Sequence, residues 1–167
     1  MTDTHPVVID AGPLIHLDEV GCLDLLDSFD EVIIPQTVWE ESIYHRPRLS
    51  VANRFSVRMR TDSYAASPTL FMLISTFGLD AGEIAALTLA ESCNVLIFLT
   101  DDAAARVAGE SMGLSVHGTI GIIVRAIRTG KRSKNEVLQV LRSIPEISTL
   151  HISNRLLNDV MQMVSAH

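Results

Sequence analysis

Three short, unbroken apolar runs constrain this chain most: Val7-Val8-Ile9, Val32-Ile33-Ile34 and Val95-Leu96-Ile97-Phe98-Leu99. A strand that faces water on one side alternates polar and apolar residues. These runs do not alternate, so each suits a strand buried on both faces, as in a parallel sheet. Between them lie segments with helical spacing. Leu14, Leu17, Cys22, Leu25 and Leu26 form one region after a Gly12-Pro13 turn, and Ile84, Leu87, Leu89 and Ala90 form another, with Val107 in a third. Strands alternating with helices predict an α/β sandwich built by right-handed crossovers. Residues 55–60 alternate and predict a half-exposed edge strand. A helix starts after Pro35 and ends at Arg46-Pro47-Arg48; Ser67-Pro68 opens another over residues 70–77. Beyond Thr119 the pattern is helical over residues 120–127, 135–144 and 155–164, with Ser133 and Glu136 as a capping box.

The 167 residues, 47% apolar and 20% charged, fit one domain with a proper core and exclude a disordered or low-complexity chain. No apolar run reaches the roughly 18 residues of a membrane-spanning helix. The first six residues lack the basic start and apolar stretch of a secretory signal. Cys22 and Cys93 sit in apolar surroundings without a CxxC and read as reduced core thiols of a cytoplasmic protein. Thirteen basic against 20 acidic residues leave a net charge of −7. That balance does not exclude a nucleic-acid substrate, because clustered carboxylates can be answered by a divalent metal.

The acids stand in telling places. In open α/β sheets ligands gather at the carboxyl ends of the strands. Asp10 follows the first run directly, and Asp101 follows the third after one threonine. One such Asp is most simply a helix cap; two on neighbouring strand ends would repel across the same rim, a cost that a metal ion removes. The helix after Pro35 puts Glu40 or Glu41 at that rim, with Val38 and Trp39 as its anchors. Glu83 fits a capping box with Asp80, and the helix behind it is apolar almost all round, so its N-terminus is held near other elements. The six histidines show no HxxxH or HExxH spacing, and neither a nucleotide-binding glycine loop nor a GxSxG elbow is present. Hard cations on oxygen ligands, Mg²⁺ or Mn²⁺, are what remain.

Taken in order, the segments Val8-Ile9-Asp10-Ala11-Gly12-Pro13, Pro35 with Val38-Trp39-Glu40-Glu41, Leu79-Asp80-Ala81-Gly82-Glu83, Thr100-Asp101-Asp102-Ala103-Ala104-Ala105-Arg106 and Gly118-Thr119-Ile120-Gly121 resemble the PIN-domain family. They are most similar to its prokaryotic branch with a double Asp and a Gly-Thr-x-Gly turn, related to VapC-type toxin ribonucleases. The resemblance runs over about residues 7–130. It implies a three-layer α/β/α sandwich with a central, mainly parallel sheet and extra C-terminal helices. Residues 1–167 would form a single domain, with a core over 6–130 and a helical extension over 131–167.

The resemblance also implies a Mg²⁺- or Mn²⁺-dependent endoribonuclease with Asp10, Glu41, Glu83 and Asp101 as its acidic quartet. Asp102 would support the metal, and Glu40, Thr119 and Arg106 would be second-shell or substrate contacts. In this reading a metal-activated water attacks an RNA phosphodiester in line, leaving 5′-phosphate and 3′-hydroxyl ends. Lys131 and Arg132 are further candidate phosphate contacts. The implied partners are RNA, a second copy in a homodimer and a small antitoxin, with no membrane. One departure stands out: relatives carry Ser or Thr just after the first Asp, whereas this chain has Ala11-Gly12. The alternative is a PIN-like fold whose site is idle and which acts through its surface. A phosphatase with an aspartyl intermediate would need an Asp where Gly12 stands.

Overall fold

A computed structural model of the protein describes residues 5–51, 57–61 and 64–166. Five strands, Val7–Ile9 (β1), Val32–Pro35 (β2), Val57–Arg60 (β3), Ile97–Leu99 (β4) and Ser115–His117 (β5), form one sheet in the order β3-β2-β1-β4-β5. Every neighbouring pair is parallel, with Val7 opposite both Val32 and Ile97. Eight α-helices accompany it among the described residues: Ala11–Glu19 (α1), Gln36–His45 (α2), Pro68–Phe77 (α3), Ala81–Ser92 (α4), Ala103–Ser111 (α5), Thr119–Arg128 (α6), Lys134–Ile147 (α7) and Asn154–Ala166 (α8). Helices α1 and α6 pack together and lead on to α7 and α8. Helices α3, α4 and α5 form a second group, and α2 touches both α1 and α4. The sheet between them makes the expected three-layer α/β/α sandwich.

The core explains the unbroken apolar runs. Val7, Val8, Ile9, Val32, Ile34, Phe98 and Leu99 have no exposed surface, because helices cover both faces of the sheet. Leu14 and Leu17 of α1 and Ala86 and Leu87 of α4 are as deeply buried. Gly109 lets α5 lie close to the sheet: a Cβ there would stand 3.0 Å from Val116 and 3.1 Å from Phe98. Parallel pairing then brings all five carboxyl ends to one rim. At that rim the ladder runs one residue past the strands, with Asp10 N donating to Leu99 O and Thr100 N to His117 O, both at 2.9 Å. The backbones of Asp10 and Thr100 are therefore set by the sheet and not by loop conformation.

Several elements differ from expectation, each for a local reason. The first helical region divides at Gly21, whose φ of +67° ends α1, and a 3-10 turn over Leu23–Ser28 follows. Gly12-Pro13 is no turn but part of the first turn of α1, where a missing N–H costs nothing. Only the last three residues of the third run pair in β4, because Asn94 takes a left-handed φ of 51° and Leu96 faces solvent. Strand β5 has one apolar residue, Val116, and carries no periodic signal. The expected edge strand is present as β3, while Phe55 and Ser56 lie outside the described residues. Helix α7 continues through Pro145 to Ile147, and Ser133 and Glu136 form its capping box. Both cysteines are free, but Cys93 is only half-buried.

Phe98 of β4 is fully buried, so Phe98→Ala should cost about 3–5 kcal/mol. Urea unfolding followed by circular dichroism measures it.

Candidate functional site

Asp10 is the N-cap of α1: its Oδ1 accepts from Ala11 N at 2.8 Å, and its Oδ2 accepts from Thr100 Oγ1 at 2.9 Å. Thr100 is fully buried and also accepts from Asp102 N at 3.1 Å, so one hydroxyl joins the end of β1 to the turn after β4. Burial pushes the Asp10 carboxyl up to about 6, against the pull of those two hydrogen bonds, and the charges of Asp80 and Glu41 push the same way.

Glu83 sits in the first turn of α4. Asp80 Oδ1 accepts from Glu83 N, and Glu83 Oε2 accepts from Asp80 N, both at 2.9 Å, so the expected capping box is formed. It also serves a second purpose. Burial raises the Glu83 carboxyl to about 7 despite its backbone hydrogen bond, with Asp80, Asp102 and Asp10 adding to the rise. Glu41 comes from α2, one turn after the buried Val38, and faces the start of α4: a Cβ on Gly82 would lie 2.8 Å from Glu41 Oε2. Its carboxyl is likewise raised, by burial and then by Asp80, with His45 opposing. Glu40 points outward and accepts from Gln36 Nε2, so of the two adjacent glutamates Glu41 faces the rim.

The two aspartates after β4 part company. Asp101 is turned toward α1 and α6, where Oδ1 accepts from Thr119 N at 2.7 Å and Oδ2 from Thr119 Oγ1 at 2.6 Å. His16 Nδ1 meets the same Oδ2 at 2.7 Å. Asp102 caps α5 through Ala105 N, and its charge adds to the rise at Glu83. Thr119 therefore serves Asp101, and Arg106 reaches Val116 O at 3.0 Å from α5. Arg132 is paired with Asp24 at 2.8 Å beyond the C-terminal end of α6, and Lys131 precedes it there. This is the end of the sandwich opposite the rim at which α6 begins. Asp80, Thr100 and His16 are the positions that sequence reasoning passed over: the first was read only as a cap, the second as a spacer, and the third had no motif.

Among the described residues no three His, Cys, Asp or Glu side chains stand close enough together to hold a metal ion. The donor set still fits a hard divalent cation. It consists of carboxylate oxygens, Glu41 accepts no hydrogen bond, and no Lys or Arg is paired with Asp10, Glu41, Asp80, Glu83 or Asp102 among the described residues.

The all-parallel sheet of order β3-β2-β1-β4-β5 with acids at its carboxyl rim is consistent with a PIN-like α/β/α fold, and a family model described as a PIN domain, DUF3368, matches residues 6–166. The chain belongs to that family. No curated protein matches its sequence significantly. PIN domains are in general nucleases that use divalent metals, which places this chain among nuclease-type hydrolases that act on nucleic acid. No helix of the described residues is long and apolar enough to cross a membrane.

A raised carboxyl means the folded protein binds more protons than the unfolded chain between the ordinary value and the raised one. The Asp10 and Glu83 contributions to stability therefore fall as pH climbs from about 4 to about 7 and stay low above it. Glu83→Gln keeps an oxygen for Asp80 N and removes the charge. In EDTA it should gain about 1 kcal/mol or more over the parent at pH 8, with little gain at pH 4, as read by urea titration at both pH values.

Proposed function

We propose that the protein is a Mg²⁺- or Mn²⁺-dependent endoribonuclease whose acidic site is formed by Asp10, Glu41, Glu83 and Asp102, with Asp80 beside them. The observation that carries this reading is the buried Asp10 carboxylate, within electrostatic reach of Glu41, Asp80 and Glu83 and paired with no basic side chain among the described residues. Four elements distant in sequence supply those acids. An idle surface would have no use for them, since their mutual repulsion and desolvation cost stability. Bound there, the dication would activate water and neutralise charge on the scissile phosphate. The chain's own residues do the rest: Thr100 fixes Asp10, the Asp80 capping box orients Glu83, and Val38 seats the helix that presents Glu41.

Asp101 takes a positioning role in this proposal. Its three donors from Thr119 and His16 join the start of α6 and the last turn of α1 to the end of β4, and Asp102 is left to the site. The absent hydroxyl at Ala11-Gly12 is answered from the other strand, since Thr100 gives Asp10 a hydroxyl partner.

The same reading extends, on the resemblance to VapC-type toxins, to the toxin of a toxin–antitoxin pair, cytoplasmic, with a small antitoxin over its cleft. A homodimer is supported by α3, where Phe71 and Met72 stand 67% and 64% exposed. The chain is taken as one domain with its helical extension, because α7 packs on α6 and α8 on α7.

Asp10→Asn should lower Mn²⁺-dependent RNA cleavage at least about 100-fold while circular dichroism shows the parent fold. Cleavage at the parent rate would refute the site. Two further variants separate the paired aspartates. Asp102→Asn, which can still cap α5, should lose activity at near-parent stability. Asp101→Ala should instead cost about 1–3 kcal/mol in urea unfolding, because it strips buried donors of their acceptor.

A further inference from the structure

The basic residues of this acidic chain are not evenly spread. Helix α6 carries Gly121, Arg125 and Arg128 at spacings of four and three, on one face. A groove of about 470 Å³ lies along it, lined by His5, Phe29, His117, Gly121, Arg125 and Arg128 among others, and by no Asp or Glu among the described residues. A second hollow of about 320 Å³ shares His117 and Gly121 with the first and continues to Arg106, His151 and, at the rim, Asp101. The two make one path from the carboxyl ends of the strands down the side of the sandwich.

The charges along the path come from separate elements. His117 at the end of β5 feels the guanidinium groups of Arg106 from α5 and of Arg125 and Arg128 from α6. Arg125 is held in place, its guanidinium 4.5 Å over the Phe29 ring and hydrogen-bonded to Ser28. Arg106 has only a long contact to Glu110, 3.8 Å away, besides its bond to Val116 O. Arg128 is exposed and has no hydrogen bond or ion pair among the described residues. Favourable charge at the C-terminus of α6 accounts for Arg125 and Arg128 singly. It does not account for Arg106 converging on the same histidine from another helix.

We propose that this groove seats the phosphate backbone of a single RNA strand and leads it to the acidic rim, with Arg106, Arg125 and Arg128 as phosphate contacts. A strand bearing one charge per nucleotide fits a row of cations with no carboxylate between them among the described residues. The exposed His117 and His151 rings offer faces on which the unpaired bases of a single strand stack. The proposal rests on the nuclease reading for what becomes of the strand, but its binding step does not need the metal site.

The test is fluorescence anisotropy with a short fluorescein-labelled single-stranded RNA and the full chain in EDTA, followed by cleavage of the same RNA in Mn²⁺. Three phosphate contacts give a log–log salt slope of about −2, at about −0.7 per contact. Arg128→Glu, an exposed position, should weaken binding about tenfold or more, Arg128→Lys should recover most of it, and Arg106→Glu should weaken it likewise. Parent-like binding by both glutamate variants would overturn the groove. Tighter binding of duplex RNA would overturn the single strand as its occupant. Equal displacement by poly-glutamate of matched charge would overturn RNA in favour of an acidic protein segment. RNA that binds with the expected slope but stays intact in Mn²⁺ supports the groove and counts against the nuclease reading alone.

Discussion

The structure turns on a single buried carboxylate. Asp10 ends the central strand of the sheet, loses its water there, and is held by a hydroxyl from the next strand, Thr100. The charges of three more acids, from α2, the α3–α4 turn and α4, are coupled to it, and none of the three is paired with a Lys or Arg among the described residues. Such an arrangement opposes folding, and the rest of the molecule must supply the stability that it removes. The fully buried β1, β4 and α4 side chains behind the rim are that supply. Stability and the site are thus coupled through burial: the apolar wall that holds the sheet together is the same wall that desolvates the acids.

The sheet also explains why two adjacent aspartates do different work. Asp102 is extended, with φ −78° and ψ 134°, and successive side chains of extended chain point to opposite sides. Thr100 bonds to Asp10. Asp101 turns to the side of α1 and α6, and the charge of Asp102 is felt by Glu83 on α4. Gly118 makes the first of these turns feasible, since a Cβ there would lie 2.6 Å from Asp101 Oδ1. The Gly-Thr pair at the start of α6 is therefore explained by packing against Asp101, without any need for Thr119 to touch a ligand.

How much of this could be read from sequence depends on the range of the interaction. Continuous apolar runs report burial on both faces, so β1, β2 and the parallel sheet were legible, as was the capping box of Asp80 and Glu83, which spans three residues. Strand β5 was not, because an edge strand of three residues with one apolar side chain carries no period. For α2 the sequence left Glu40 and Glu41 as alternatives, while the places of Asp10 after β1 and of Glu83 in the first turn of α4 were legible. The direction in which Asp101 points was not, because it is set by His16 and Thr119, 85 and 18 residues away. A cap and a site residue look alike in sequence, which is why Asp80 was read as a cap alone.

Net charge is a poor guide to what such a chain binds, and the reason is geometric. The value of −7 sums the acids crowded at the rim with arginines that stand on α5 and α6. A phosphate near the rim alone would be repelled, while one in the groove meets guanidinium groups and, among the described residues, no carboxylate. Screening cuts exposed charges off from one another over about 8 Å at physiological salt, so the two regions act on a long ligand separately. An acidic total and an anionic substrate are compatible once the cations form a path and the acids lie at its end.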